Sequence, residues 1–295
     1  MKFLYIAVVI GVAQVGCSPK DEQSPPAKAV DSTLPSDDLA AARKGFVTRL
    51  RVRGPAPQPY QNEDPPDGAR FAEYESGNLK LKGLLSTNAD EGGKRPAVVY
   101  LHGGWAFGEG DWDDAEPFAR AGFIVFMPML RAENGNPGIY ESFLGEVDDA
   151  IEAGRFVSKL PNVDDQNVFV VGHSVGAVLT CLVSMCQSPY KAAAAYDGYL
   201  DMEAWAANSE DELVPYDRND PREVRIRNPL AFAASIRCPL RLYASQTRHI
   251  NARLAAGAKE CGKPCELVEV SGNHLEMVAP AVRQTIAWFR QLGAR

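Results

Sequence analysis

Positive charge is in short supply along this chain. Lys and Arg number 31 against 38 Asp and Glu, the net charge is −7, and no basic cluster stands out. Binding to nucleic acid needs such a cluster, so nucleic-acid partners are set aside. Histidine is scarcer still, with four residues, and the six cysteines form no Cys/His array at metal-ligand spacing. A metal centre of that kind is therefore excluded, and no cofactor is expected. Long apolar runs are also missing: the one at Phe3–Val15 is too short for an ordinary membrane-spanning helix. What the chain does have is 45% hydrophobic residues, in keeping with a soluble folded body.

The most informative stretch is Asn167–Gln187, NVFVVGHSVGAVLTCLVSMCQ. A short strand-like run, Val168–Val171, stops at Gly172; Ser174 follows, and an apolar helix starts at Val175. Strand, sharp turn and helix around G-x-S-x-G is the setting that holds a serine exposed at the end of a parallel sheet. Gly172 and Gly176 suit the close passage of strand and helix.

A serine nucleophile makes a tetrahedral oxyanion, which needs N–H donors already in place. Upstream, the apolar strand Pro96–Leu101 runs into His102-Gly103-Gly104-Trp105. One donor is expected from Val175, the residue after the nucleophile. The other is expected from the turn carrying Gly103, Gly104 and Trp105, with Gly104 or Trp105 favoured. Losing one such donor typically costs about 3 kcal/mol of transition-state stabilisation.

The hydroxyl also needs a base with a pKa near the working pH. His102 belongs to the oxyanion turn, His173 lies inside the elbow facing away from Ser174, and His249 sits in a loop before a helix. His274 alone follows the last expected strand, Cys265–Val270, across the turn Ser271-Gly272-Asn273. It is the expected base. The acid that orients it would ordinarily follow the strand Pro239–Ala244, but the loop there, Ser245–His249, holds no carboxylate. The strand Ala192–Tyr196 ends in Asp197-Gly198-Tyr199-Leu200-Asp201. Asp201 is placed first as the acid, with Asp197 and Glu276 as alternatives; Asp201 also suits the cap of a helix over Met202–Ala207.

The rest of the chain divides by composition. Met1–Cys17 has the layout of a signal segment: Lys2, the apolar run, then Gly16-Cys17-Ser18. It resembles a bacterial lipoprotein signal, which implies acylation of Cys17 and a lipid-anchored place in the cell envelope, on the periplasmic side of the outer membrane. Plain secretion is the alternative. Residues 18–69 read as a disordered tether rich in Pro and charge, then a helix over Ser36–Leu50, then a proline-rich wrap. Residues 70–295 alternate short strands with helices, which predicts one α/β domain with a mostly parallel, doubly wound sheet. Helices are expected near Asp113–Ala121, over Glu141–Leu160 and over Pro280–Leu292. An insertion at about 200–228, acidic then basic, is expected to form a small lid. Cys261 and Cys265 flank a short loop and could be bridged or free.

Six blocks carry a family resemblance: HGGW at 102–105, PMLRAENGNPG at 128–138, GEVDDAIEAGRFV at 145–157, GHSVG at 172–176, NPL at 228–230 and GNH at 272–274. Residues 70–292 resemble the α/β-hydrolases, and within them the catalytic domain of prolyl oligopeptidase-type and dienelactone-hydrolase-like serine hydrolases. The resemblance implies an α/β-hydrolase fold and hydrolysis of a small carboxylic ester or short-peptide amide through an acyl-enzyme on Ser174. The expected partners are that substrate and, through the anchor, a membrane. A different class of function, a non-catalytic envelope binding protein on the same fold, follows if the triad is incomplete. The first seventy residues cannot build the β-propeller that oligopeptidases add to this domain.

Overall fold

The computed structural model describes residues 37–60, 64–108 and 110–293. Cys17, the signal-like segment, the tether to Leu34 and Ser36 lie outside the described residues.

Eight strands form one sheet in the order β1-β2-β4-β3-β5-β6-β7-β8. They are β1 (Ala69–Ser76), β2 (Leu79–Ser86), β3 (Arg95–Leu101), β4 (Ile124–Pro128), β5 (Val163–His173), β6 (Ala192–Tyr196), β7 (Leu240–Ala244) and β8 (Cys265–Glu269). β1 and β2 make an antiparallel hairpin, and β2 joins β4 antiparallel. The other pairs are parallel. The helices are α1 (Leu39–Arg43), α2 (Asp111–Arg120), α3 (Gly145–Ser158), α4 (Val175–Ser184), α5 (Met202–Asn208), α6 (Pro221–Arg225), α7 (Arg248–Glu260) and α8 (Val278–Gly293).

The inner runs of the central strands, Ala97–Leu101 and Val168–Val171, are apolar at every position because both faces are covered. Along β3 and β5, Val99, Leu101, Val168 and Val170 enter one core with α3, α4 and α7. Their neighbours Val98, Tyr100, Phe169 and Val171 enter the other, with α2 and α8. Successive side chains of a strand point to opposite faces, so one run of valines feeds two cores. Phe169 stacks on Phe289 of α8 with ring centroids 4.1 Å apart.

Local chemistry sets the helix ends. Asp111, Asp113 and Asp114 fill the first turn of α2 and Arg120 its last, as the helix dipole favours. Asp220 caps α6, whose first residue is Pro221. The helix expected over Ser36–Leu50 is much shorter, Leu39–Arg43, and Asp38 caps it. Gly45 turns the chain at φ +78°, and the following residues run extended along the insertion, where Leu50 bridges Tyr216. The last helix begins at Val278, two residues before Pro280, and β5 reaches back to Val163 through polar residues. His249, expected in a loop, lies in the first turn of α7. Cys261 and Cys265 are free thiols, and Cys181, Cys186 and Cys238 are buried thiols.

The insertion is a packed unit with its own small core of Ala206, Val214, Tyr216 and Val224. Arg227, fully buried, ties it down. It donates to Glu223 and Thr48 and to the carbonyls of Glu141 and Ser142, and stacks 4.0 Å above Tyr216.

Candidate active site

Ser174 sits between β5 and α4 with φ 56° and ψ −113°, a conformation that side chains rarely adopt. Two glycines make the turn possible. A Cβ on Gly172 would lie 2.2 Å from the Gly176 carbonyl oxygen, and one on Gly176 would lie 2.0 Å from the Leu101 oxygen. Both would collide with backbone that cannot move aside. The Ser174 N–H donates to the Tyr196 carbonyl on β6, at 2.9 Å, which anchors the elbow to its neighbour strand. Val175 heads α4, and an N–H in the first turn of a helix has no intrahelical acceptor.

One strand over, Asp197 directly follows β6, also at positive φ (51°). Its N–H continues the ladder to the Tyr243 carbonyl at 2.8 Å. Its carboxylate is fully buried and meets His274: Nδ1–H donates to Oδ2 at 2.9 Å. The same carboxylate accepts from the Ser245 N–H, the Thr247 N–H and both hydroxyls of those residues. Burial alone would raise its pKa. The bonds from His274, Ser245 and Thr247 outweigh burial and hold it well below the usual carboxylate range.

This corrects the order in which the acids were placed from sequence. Asp201, placed first, caps α5 through the Ala204 N–H and pairs with Arg253. Glu276 accepts from the Asn273 N–H in its own turn. Neither meets His274; Asp197 does. The loop after β7 holds no carboxylate; its Ser245 and Thr247 donate instead to the carboxylate that follows β6. Ser245 and Thr247 were the legible sign of it, a pair of hydroxyls in a loop that needed an acceptor.

His173 turns its ring away from the elbow, tilts against His274 at 4.6 Å between centroids, and donates Nε2–H to the His274 carbonyl at 2.9 Å. Burial and the neighbouring His274 push its pKa down to about 4, so it stays neutral. It acts as a neutral strut, and it brings the loop of His274 to the residue next to Ser174. The bond from Ser174 to His274 is not among those that the described residues form; such bonds often tighten only when substrate arrives.

The turn from His102 to Phe107 is bolted at three points. His102 donates Nδ1–H to the Gly103 carbonyl and Nε2–H to Glu133, whose carboxylate also accepts from the Leu130 N–H. Burial lowers the His102 pKa, but the charge and hydrogen bond of Glu133, with help from Asp111, raise it to about 9. Asn134 both accepts from and donates to the Phe107 backbone. Gln58, from the bent segment before β1, accepts from the Trp105 N–H at 2.8 Å and donates to the Ala106 carbonyl at 3.2 Å. Gly103 lies against the elbow: a Cβ there would be 3.7 Å from Ser174 Cβ. Beside the turn, the Trp105 ring packs on Tyr140, Phe143 and Trp205 at 5.3 to 5.8 Å. Glu133 and Asn134 lie in the block at 128–138 and His173 in the elbow, but their contacts, like those of Gln58, were not readable from sequence, since each acts through a partner distant in the chain. Among the described residues there is no cluster of three or more His, Cys, Asp or Glu that could hold a metal ion.

Comparison with known proteins places this geometry. Residues 113–237 match the model of the prolyl oligopeptidase family. An uncharacterized peptidase of Bacillus subtilis, YtmA, is 35% identical over 114 residues, which are 38% of this chain and 44% of the relative. An acylaminoacyl peptidase of Pyrococcus horikoshii superposes with TM-score 0.59 at 19% identity, over 77% of this chain and 40% of that one. An esterase of Pyrobaculum calidifontis superposes with TM-score 0.62 at 18% identity, over 79% of this chain and 88% of that one. The chain thus spans less than half the length of the curated relative and of the peptidase, and at such identities the structural likeness is one of fold. By that likeness, and with a strained serine at the end of β5, the chain has the α/β-hydrolase fold, and its residues 113–237 are similar to the prolyl oligopeptidase family.

Proposed function

We propose that the chain is a serine hydrolase that cleaves a small carboxylic ester or short-peptide amide through an acyl-enzyme on Ser174. The observation that carries this reading is the buried Asp197 carboxylate 2.9 Å from His274 Nδ1, beside a serine held in the elbow conformation. In the reaction, Ser174 Oγ attacks the substrate carbonyl and its proton passes to His274 Nε2. Asp197 accepts the Nδ1–H, fixes the tautomer and stabilises the imidazolium that forms. The oxyanion is met by N–H groups of Val175 and of the Gly103–Trp105 turn. His274 then returns the proton to the leaving alcohol or amine, and water attacks the acyl-enzyme by the same route.

A fluorophosphonate probe tests this. Labelling of the wild type and none of Ser174→Ala is the expected result. No labelling of the wild type between about pH 6 and 9 would leave a binding protein on this fold as the better reading. Since the matched relative is named a peptidase and the structural neighbours include an esterase, the two substrate classes are separated by comparing p-nitrophenyl esters with aminoacyl amides. For location we propose lipid anchoring through Cys17 in a bacterial envelope. Cys17→Ser should then move the protein out of the membrane fraction, and unchanged fractionation removes the anchor.

A further inference from the structure

Gln58 lies far from the elbow in sequence, yet its carboxamide touches the turn expected to hold the oxyanion. Both of its polar ends are used, Oε1 on the Trp105 N–H and Nε2 on the Ala106 carbonyl. The pairing fixes which way the amide faces, because an N–H needs an acceptor and a carbonyl a donor. Gln58 also lies against Gly104: a Cβ on that glycine would sit 2.6 Å from Gln58 Oε1. The segment that carries Gln58 is itself held by backbone. The Ala56 N–H donates to the Ala132 carbonyl at 3.0 Å, and the Tyr140 N–H donates to the Gly54 carbonyl at 3.1 Å. Ala56 is buried with Ala132 and Tyr140 against Trp105. A side chain anchored like this forms part of the site wall.

A backbone N–H makes one good hydrogen bond, so the Trp105 donor is already taken. Of the two donors favoured in the turn, Gly104 and Trp105, the one left is Gly104. Resting on the serine-hydrolase reading above, we propose that Gln58 is a positioning residue for the reaction. It takes up the Trp105 N–H, locks the His102–Phe107 turn, and leaves the Gly104 N–H to hold the oxyanion together with Val175.

The test uses the full chain, with fluorophosphonate labelling rates and kcat and KM on a p-nitrophenyl ester. Gln58→Ala should lower kcat and the labelling rate about tenfold, less than outright loss of a donor, with KM changed by less than about threefold. Gln58→Met keeps the length, loses both polar ends and should behave alike if the alanine variant folds poorly. Gln58→Glu keeps an acceptor for Trp105 but sets a negative charge beside the developing oxyanion. Its kcat, divided by that of Gln58→Ala at each pH, should rise as the pH falls towards the ordinary carboxylate range. A residue that only braced the fold would leave that ratio flat. If the wild type labels and Gln58→Ala labels at the same speed or faster, the carboxamide is idle or obstructive and this inference alone falls. If the wild type does not label, it falls together with the function it rests on.

Discussion

The residues proposed for proton transfer and the residues that surround them are held in place by different means. Ser174, Asp197 and His274 stand at or just beyond the carboxyl ends of β5, β6 and β8. Backbone bonds relay from strand to strand into the site: Ser174 N–H to Tyr196, Asp197 N–H to Tyr243, Val270 N–H to Ala244. Gln58, Trp105, Tyr140, Phe143 and Trp205 come from the N-terminal strap, the turn after β3, the loop before α3 and the insertion. They are joined by ring contacts and by side-chain bonds to loops. The first wall inherits its precision from the sheet register. The second has to be assembled from distant pieces of chain, and it holds buried charge, Arg227 with Glu223 and His102 with Glu133, where the pieces meet. Position is thus nearly free for chemistry at the strand ends, while the surrounding wall depends on individual side chains.

The sharpest way to break this comparison is at the acid. Asp197→Asn should lower kcat/KM about 10⁴-fold, because the imidazole loses the partner that fixes its tautomer. Asp201→Asn, four residues on but bound to Arg253 and the α5 cap, should stay within a few-fold and lose less than about 1 kcal/mol of stability, because asparagine caps as well as aspartate and only the solvent-facing pair with Arg253 is lost. Equal losses of rate in the two variants, measured on one ester, would mean that the strand-end geometry does not select the acid.

The second wall breaks by unfolding instead. Arg227 is fully buried, and its donors reach Glu223, Thr48 and the carbonyls of Glu141 and Ser142. Ser142 and Phe143 both lie at positive φ, 52° and 69°, so their turn needs that support. Arg227→Met leaves the Glu223 carboxylate buried without its partner, which costs about 3–5 kcal/mol. Denaturant unfolding should show that loss, while the fluorophosphonate labelling rate per folded molecule stays within a few-fold. A large drop in labelling rate with stability intact would contradict the division between the walls.

The same division governs what could be read from sequence. The sheet, its order of strands and helices, the elbow and the histidine after the last strand were legible because each is a local pattern: a β-branched run, a glycine pair, a turn. The acid was legible only as a short set, since Asp201, Asp197 and Glu276 all fall in suitable turns and the choice rests on which carboxylate the loop after β7 reaches. Ser245 and Thr247 make that choice, and they lie on the neighbouring strand's loop. The helix expected over Ser36–Leu50 rested on a capping residue and on acids at its start, signals that do not say where a helix ends; Gly45 and contacts with the insertion at Leu50 and Arg51 end it early. Gln58 was not legible at all and Glu133 only as a member of the block at 128–138, because a partly buried glutamine and a single glutamate show no role until the fold brings a backbone or an imidazole to them.

His102 stands where the two walls join, and pH sharpens the comparison there. Its folded pKa is raised from 6.5 to about 9 by Glu133, so the proton it gains stabilises the fold fully below about pH 6.5. That contribution fades as the pH rises through about 9. Wild-type stability, followed by denaturant unfolding across this range, should therefore fall on the alkaline side. Glu133→Gln removes the carboxylate that holds the proton; burial then keeps His102 neutral, the variant is weaker at neutral pH, and the alkaline slope flattens. A slope that survives in Glu133→Gln would assign it to another group.

The smallest expected effect concerns binding alone. Trp205, from the insertion, packs on Trp105 at 5.8 Å and Phe143 at 5.9 Å, and is bonded to nothing in the first wall. Trp205→Ala should strip apolar surface that a substrate's acyl or side-chain group would lie on, without moving the strand ends. Loss of contact that is equal in the ground and transition states raises KM and leaves kcat alone. A tenfold rise in KM corresponds to about 1.4 kcal/mol, a modest share of what a buried aromatic contributes. The measurement is a series of p-nitrophenyl esters of increasing acyl length. The rise should grow with chain length if the aromatic cluster faces the acyl group, and it should be flat if the cluster only supports the turn. A fall in kcat at constant KM would place Trp205 with the reacting atoms, and the two walls would then have to be treated as one.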